Sequence, residues 1–178
     1  RKPRGRTALI ALAVVFIVAF VGLIALGSWQ VQRRAWKLDL IERVESRIHA
    51  PPAAAPGPDE WPRISVARDE YRHVRLEGRF LPDRDTRVQA VTDLGAGSWL
   101  LSPFRTTSGD IVLINRGFVL ADWKAPAGSN PVPATSITGL LRMTEPGGGF
   151  LRKNAPTEDR WYSRDVQAIA AARGLGRV

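Results

Sequence analysis

From Ala8 to Leu26 the chain reads ALIALAVVFIVAFVGLIAL, without one charged or hydrogen-bonding side chain. At 1.5 Å per helical residue, about 20 such residues match a hydrocarbon core roughly 30 Å thick, so the pattern predicts a transmembrane helix over 7–27. Basic residues precede the run, and Ala25-Leu26-Gly27 is a small-x-small sequence of the kind a signal peptidase accepts. Signal cores are usually about 7–15 residues long, so a retained anchor is read over a cleaved signal. Beyond Gly27, Trp29, Trp36, Leu40, Val44 and Ile48 recur at intervals of seven and then four. That spacing predicts that the helix continues as an amphipathic juxtamembrane helix over 28–49. Ala50-Pro-Pro-Ala-Ala-Ala-Pro-Gly-Pro58 ends it, because proline lacks the amide donor, and 50–60 reads as a semi-rigid Pro/Ala-rich linker.

After Trp61-Pro62 the period shifts toward two. In Tyr71–Phe80, Val74, Leu76, Gly78 and Phe80 fall on one face and His73, Arg75, Glu77 and Arg79 on the other, as in a half-solvated antiparallel strand. Further strands are predicted over Thr86–Thr92, Trp99–Thr106, Ile111–Val119 and Ile137–Met143, with Thr107-Ser-Gly-Asp110 closing a hairpin and Pro/Gly/Asn-rich punctuation before the last. A final helix is predicted from Arg164 to Arg173, with Ser163 as N-cap, Val166, Ile169 and Ala170 on one face and Gly174 as its stop. The expected architecture is therefore membrane-anchored. A transmembrane helix continues into an amphipathic helix, and an antiparallel β-rich domain follows over 61–178, a sandwich or open barrel with a terminal helix.

Charge sharpens this layout. The 178 residues carry 26 Lys+Arg against 17 Asp+Glu, a formal +9 that would invite nucleic acid if it were concentrated. Arg1, Lys2, Arg4 and Arg6 supply four of the nine as a basic tail over 1–6, and from Ile48 onward 17 cations meet 14 carboxylates. The domain is only mildly basic, and nucleic acid is not an expected partner. The dense basic cluster before the helix sets the N-terminus in the cytoplasm and the β-domain outside it, with the lipid bilayer itself as a partner. The chain has no cysteine, which excludes disulfides, thiolate nucleophiles and zinc–thiolate or Cys-ligated iron–sulfur sites.

Catalytic apparatus is sparse. His49 ends the juxtamembrane helix and His73 lies on the polar face of a strand, and both read as surface histidines. No Gly-x-Ser-x-Gly, His-Glu-x-x-His, phosphate-cradling loop or dinucleotide fingerprint is present, so no enzyme activity is expected. Two groups are candidates for binding. Asn115-Arg116-Gly117 follows the apolar run Ile111–Ile114; it either ties strand ends and loops together or offers the Arg116 guanidinium to a carboxylate. Trp29, Gln30, Arg33 and Trp36 lie just beyond the apolar run, where indoles favour the headgroup level and Arg33, Arg34 and Lys37 can meet lipid phosphates.

An ordered set of segments resembles the surfeit locus protein 1 family. It comprises LGSWQVQRRAWK (Leu26–Lys37), YRHVRLEGRF (Tyr71–Phe80), LLSPF (Leu100–Phe104) and VLINRGFV (Val112–Val119). Gly139-Leu-Leu-Arg142, Glu145, Phe150, Asn154, Pro156, Trp161, Asp165 and Gly174-Leu175 continue in the family's order. Phe118-Val119-Leu120 departs from it, since the family usually has Trp, a branched residue and Pro there. The resemblance implies a non-enzymatic assembly factor for haem-copper cytochrome c oxidase in the bacterial plasma membrane. Such a factor assists insertion of haem a into subunit I or stabilises that subunit, with subunit I and haem a synthase as partners. On that reading Trp29, Gln30, Arg33, Trp36, Asn115 and Arg116 are the contacts for haem or a partner. An interaction module that docks an oxidase subunit without binding haem is the alternative. The family has a second transmembrane helix carrying the histidine to which haem ligation is attributed, so that ligand is expected beyond Val178 and its role is not transferred to His49 or His73.

Overall fold

The first element of the computed structural model is α1 (Arg4–Ile48), one uninterrupted helix of 45 residues, about 68 Å long at 1.5 Å per residue. The structure describes residues 4–124, 133–176 and 178; Arg1 and Lys2 of the basic tail, and the Pro/Gly/Asn-rich punctuation within 125–132, lie outside them. The stretch from Ala8 onward is long and apolar enough to cross a membrane, and its large side chains, Phe16 and Leu23 among them, are exposed. Neither Gly22 nor Gly27 interrupts the helix, which stops one residue before His49, ahead of Pro51 and Pro52. Its outer part is less cleanly amphipathic than the seven-and-four spacing predicts. At about 100° per residue, Trp29, Arg33, Trp36 and Leu40 share one arc, while the exposed Val31 and Leu38 fall on the opposite side.

The chain divides into two compact units, one through His49 and one from Ala50 onward. The second is built on a six-stranded sheet of β1 (Ala53–Ala54), β2 (His73–Phe80), β3 (Thr86–Thr92), β4 (Gly95–Thr106), β5 (Ile111–Leu120) and β6 (Thr135–Leu140). Strand β4 pairs antiparallel with β5 along one edge. Its other edge is shared by β3, opposite Gly95–Leu101, and by β2, opposite Phe104–Thr106. Strand β2 in turn carries antiparallel β6 on its far side and the short parallel β1 beside Val74 and Arg75. The expected antiparallel character holds for every pairing in this sheet except that of β1; the sheet is branched, and no pairing among the described residues closes it on itself as an open barrel or doubles it into a sandwich. Segment 50–60 is also more than a linker. Besides the β1 pairing, the Ala50 carbonyl lies 2.8 Å from His73 Nδ1 and the Pro56 carbonyl accepts from Trp61 Nε1 at 3.0 Å.

The centre of β4 shows why Leu-Leu-Ser-Pro-Phe lacks alternation. Leu100, Leu101, Ser102, Pro103 and Phe104 are all buried, as in a strand covered on both faces. Pro103 is tolerated in this central strand because its carbonyl accepts from Leu81 N–H at 2.8 Å on the β2 edge. The amide and carbonyl of a strand residue point the same way, so the missing N–H forfeits only the reciprocal bond to Leu81, just past the last paired residue of β2, and none of the bonds to β5. On one face Val88 and Leu101 pack with Trp161 and Ile169, and Ile111 packs with Ala170 and Leu175. On the other, Phe104 meets Phe80 edge-on at 5.1 Å, and its ring lies over Gly78, where an added Cβ would stand 2.8 Å from it and 2.0 Å from the Arg105 carbonyl oxygen.

Helix α2 (Val66–Asp69) is a single turn, and α3 (Val166–Arg173) packs its Ile169 and Ala170 into the core. The N-cap of α3 is Asp165 rather than the expected Ser163: Asp165 Oδ1 accepts from Ala168 N–H at 3.1 Å. Ser163 points away to donate to the Glu145 carbonyl at 2.6 Å. Gly174 ends the helix in the left-handed region at φ 61°, as the sequence predicts. Strands β7 (Gly148–Gly149) and β8 (Arg152–Lys153) form a separate two-stranded ribbon.

Candidate functional site

On α1, Trp29, Arg33 and Trp36 share an arc because they are spaced by four and three residues. The Arg33 guanidinium lies 5.2 Å from the Trp29 ring centroid, a cation–π contact that preorients a charge above an indole. Trp29 and Trp36 are 50% and 59% exposed, leaving a flat apolar surface with a cation beside it. Gln30, one residue from Trp29, is turned about 100° away and does not join this arc. Such a patch can contact a planar apolar molecule with an acidic edge, or lipid headgroups. It offers no metal ligand, and no cluster of metal-binding side chains occurs among the described residues.

Asn115 and Arg116 belong to the second unit. Trp99 pairs with Phe118 but Leu101 pairs with Asn115, so β5 has one residue more than β4 across this step. The bulge is built locally: Asn115 Oδ1 accepts from Gly117 N–H at 3.0 Å, and Gly117 takes φ +112°, a conformation glycine adopts without a Cβ clash. Asn115 and Arg116 are exposed, so the partners a buried polar pair would need are not required. Arg116 lies over the Phe80 ring at 4.9 Å and extends the Phe80–Phe104 stack. Here the structural reading of the pair applies to Asn115, while the guanidinium of Arg116 still has an open side. Beyond the bulge, Phe118 packs edge-on against Trp99 at 5.7 Å, so an aromatic fills the place where the family has Trp.

The two histidines are held locally. His49 Nδ1 lies 2.9 Å from the Glu45 carbonyl oxygen, and His73 reaches the Ala50 carbonyl. The later residues of the resemblance form a hydrogen-bonded frame around α3. Asn154 Oδ1 accepts from Tyr162 N–H at 2.8 Å while its amide donates to Ser163 Oγ at 3.0 Å. Asp165 adds the Gly147 N–H to its cap, also at 3.0 Å. Trp161, fully buried, donates Nε1–H to Asp159 Oδ1 at 2.9 Å, and that oxygen also accepts from Arg173, which holds Thr86 Oγ1 at 2.9 Å. These positions build the fold of the β-unit.

One residue that sequence reasoning missed is Asp69. Its carboxylate is buried, accepting Ser65 N–H at 2.9 Å and Arg68 Nε at 3.0 Å, with Arg72 Nη1 at 3.4 Å. The hydrogen bond from Arg68, with that from Ser65, holds its carboxyl below the usual carboxylate range despite the burial that opposes this. The signal available in sequence was a serine four residues before an aspartate that has arginines one residue before and three residues after it.

Against known proteins, the profile of the SURF1 family matches residues 17–178. The chain is 32% identical over 172 residues to "Surfeit locus protein 1" of Mus musculus, covering 86% of this chain and 55% of that protein. It is 32% identical over 180 residues to "Surfeit locus protein 1" of Homo sapiens, covering 90% and 59%. To the "SURF1-like protein" of Caenorhabditis elegans it is 31% identical over 189 residues, covering 93% and 58%. The chain thus spans little more than half the length of these curated relatives.

Proposed function

Because the chain belongs to the SURF1 family, we propose that it is a non-enzymatic assembly factor for haem-copper cytochrome c oxidase. On this reading it assists insertion of haem a into subunit I or stabilises that subunit. It works from a bacterial plasma membrane, with α1 as anchor, its N-terminus cytoplasmic and the β-unit outside. Subunit I and haem a synthase are the proposed partners. The family match across 17–178 carries the reading. It is supported by the chemistry of the α1 patch, where Arg33 stands over Trp29 and the exposed Trp36 lies within the same arc. Haem a is cargo in this scheme. Two indoles suit the face of its macrocycle and a guanidinium suits a propionate, while the iron ligand is expected outside this sequence.

The test is an absorption spectrum of the full-length protein purified after co-expression with the enzymes of haem a synthesis. A bound haem a spectrum, reduced several-fold when Trp29, Arg33 and Trp36 are replaced together by alanine, is the expected result. An unchanged spectrum in that triple variant would remove the patch from the haem site. A second reading, a docking module that never binds haem, draws on Arg116, whose exposed guanidinium lies over Phe80 in a different unit from the tryptophans. Haem-free protein that still co-purifies with subunit I, and loses it on Arg116→Glu, would favour that reading.

A further inference from the structure

Two large apolar side chains of the β-unit stand in water at the end of its small ribbon. Strands β7 and β8 pair Gly148 with Lys153 and Gly149 with Arg152, which leaves Phe150 and Leu151 as a two-residue tip. They are 92% and 88% exposed. Scattered surface leucines need no explanation, but this pair occupies a tight turn that glycine, asparagine and aspartate normally fill. Leu151 moreover holds φ +59°, a left-handed conformation that costs a residue with a Cβ. An apolar side chain is thus kept at the tip although a small or polar residue would sit there with less strain.

The ribbon holds this tip out. Gly148 is packed so tightly that a Cβ would meet the Arg152 carbonyl oxygen at 2.2 Å. Its base is tied down by Asn154 N–H to the Gly147 carbonyl at 3.2 Å and by Gly147 N–H to Asp165 at 3.0 Å. Arg152 covers the Tyr162 ring at 5.5 Å. Charge then distinguishes the tip from another exposed apolar turn of the unit. Residues 146–154 contain Arg152 and Lys153, both exposed, and no carboxylate. The turn between β3 and β4, with exposed Val91 and Leu94, contains Asp93 and no cation from Val88 to Phe104. An aromatic and an aliphatic side chain followed directly by two exposed cations is a composition that enters the acyl–headgroup boundary while pairing with lipid phosphates.

We propose that the Phe150–Leu151 tip is an interfacial wedge that seats the β-unit on an anionic membrane surface, with Arg152 and Lys153 contacting lipid phosphates. The proposal rests on the reading of α1 as a membrane anchor, and the experiment separates the two. Since the chain has no cysteine, single-cysteine variants L151C, L94C and F16C can each carry one polarity-sensitive fluorophore. The full chain is placed in phosphatidylcholine nanodiscs with or without phosphatidylglycerol, and brominated lipid serves as quencher. The L151C probe is expected to shift to the blue and be quenched in the phosphatidylglycerol discs. It should lose both effects with R152E/K153E, in high salt or without the anionic lipid. The L94C probe should stay aqueous throughout, and the F16C probe should be lipid-buried throughout. A lipid-buried F16C with an aqueous L151C in both discs overturns the wedge and leaves the anchor standing. Lipid burial of L151C regardless of anionic lipid and of R152E/K153E overturns recognition of the anionic surface. Protection of an aqueous L151C only on adding an oxidase subunit overturns the lipid assignment in favour of a protein groove. An aqueous F16C contradicts the anchor and the wedge together.

Discussion

Asp69 gives the most specific expectation at the scale of single residues. Its carboxylate is buried against Arg68, Arg72 and the Ser65 amide, so Asp69→Asn turns an amide NH2 toward these donors inside a buried site and should cost on the order of 2 kcal/mol. Its folded pKa lies below the unfolded carboxylate value of about 3.9, so its contribution is complete above that value and is lost as pH falls through the lower folded one. Urea unfolding of the wild type and the Asp69→Asn variant in micelles checks this. The stability gap should be constant from neutral pH to about 4 and shrink in more acid solution; a gap that does not depend on pH would refute the assignment. Trp161 should be more sensitive still. Trp161→Ala empties a fully buried site, with an expected loss of about 3–5 kcal/mol in the same measurement. The partners of Asp69 lie within four residues of it along the chain, while those of Trp161 do not. Trp161 could be placed only as one residue of an ordered set, because its environment is assembled from Val88, Leu101 and Ile169, far apart along the chain.

At the scale of elements, alternation and apolar runs placed the long helix and the main strands, with β3 matching the predicted Thr86–Thr92. What they could not place was set by pairing rather than by local pattern. Residues Gly95–Ser98 extend β4 because β3 folds back on them, and Ala53–Ala54 becomes a strand because β2 offers a free edge beside it. Ser163 and Asp165 are both good caps by residue type, and the choice between them depends on Glu145 and Gly147, which only the tertiary fold brings near. The branch where β2 joins β4 depends on Gly78, since any Cβ there would collide with the Arg105 carbonyl. Gly78→Ala should therefore separate the strands and leave the β-unit without cooperative unfolding, as read by circular dichroism. By contrast, Gly139→Ala, with nothing within 4 Å of the added carbon, should change stability little.

Across the whole molecule, the family accounts for both the long apolar helix and the β-unit behind it, and the candidate contacts divide between them. The Trp29–Arg33 patch was visible in sequence as aromatics and cations at helical spacing, because a helix places neighbours at fixed intervals. The stack of Arg116 on Phe80 was not, because it joins β5 to β2 across the sheet. The most direct measurement is the haem a absorbance and oxygen consumption of membranes from cells lacking the gene, with and without the full-length gene restored. The account predicts a deficit in both that the intact gene repairs and the Trp29/Arg33/Trp36 triple-alanine variant repairs only in part. Oxidase haem content and activity unchanged by the deletion would contradict it.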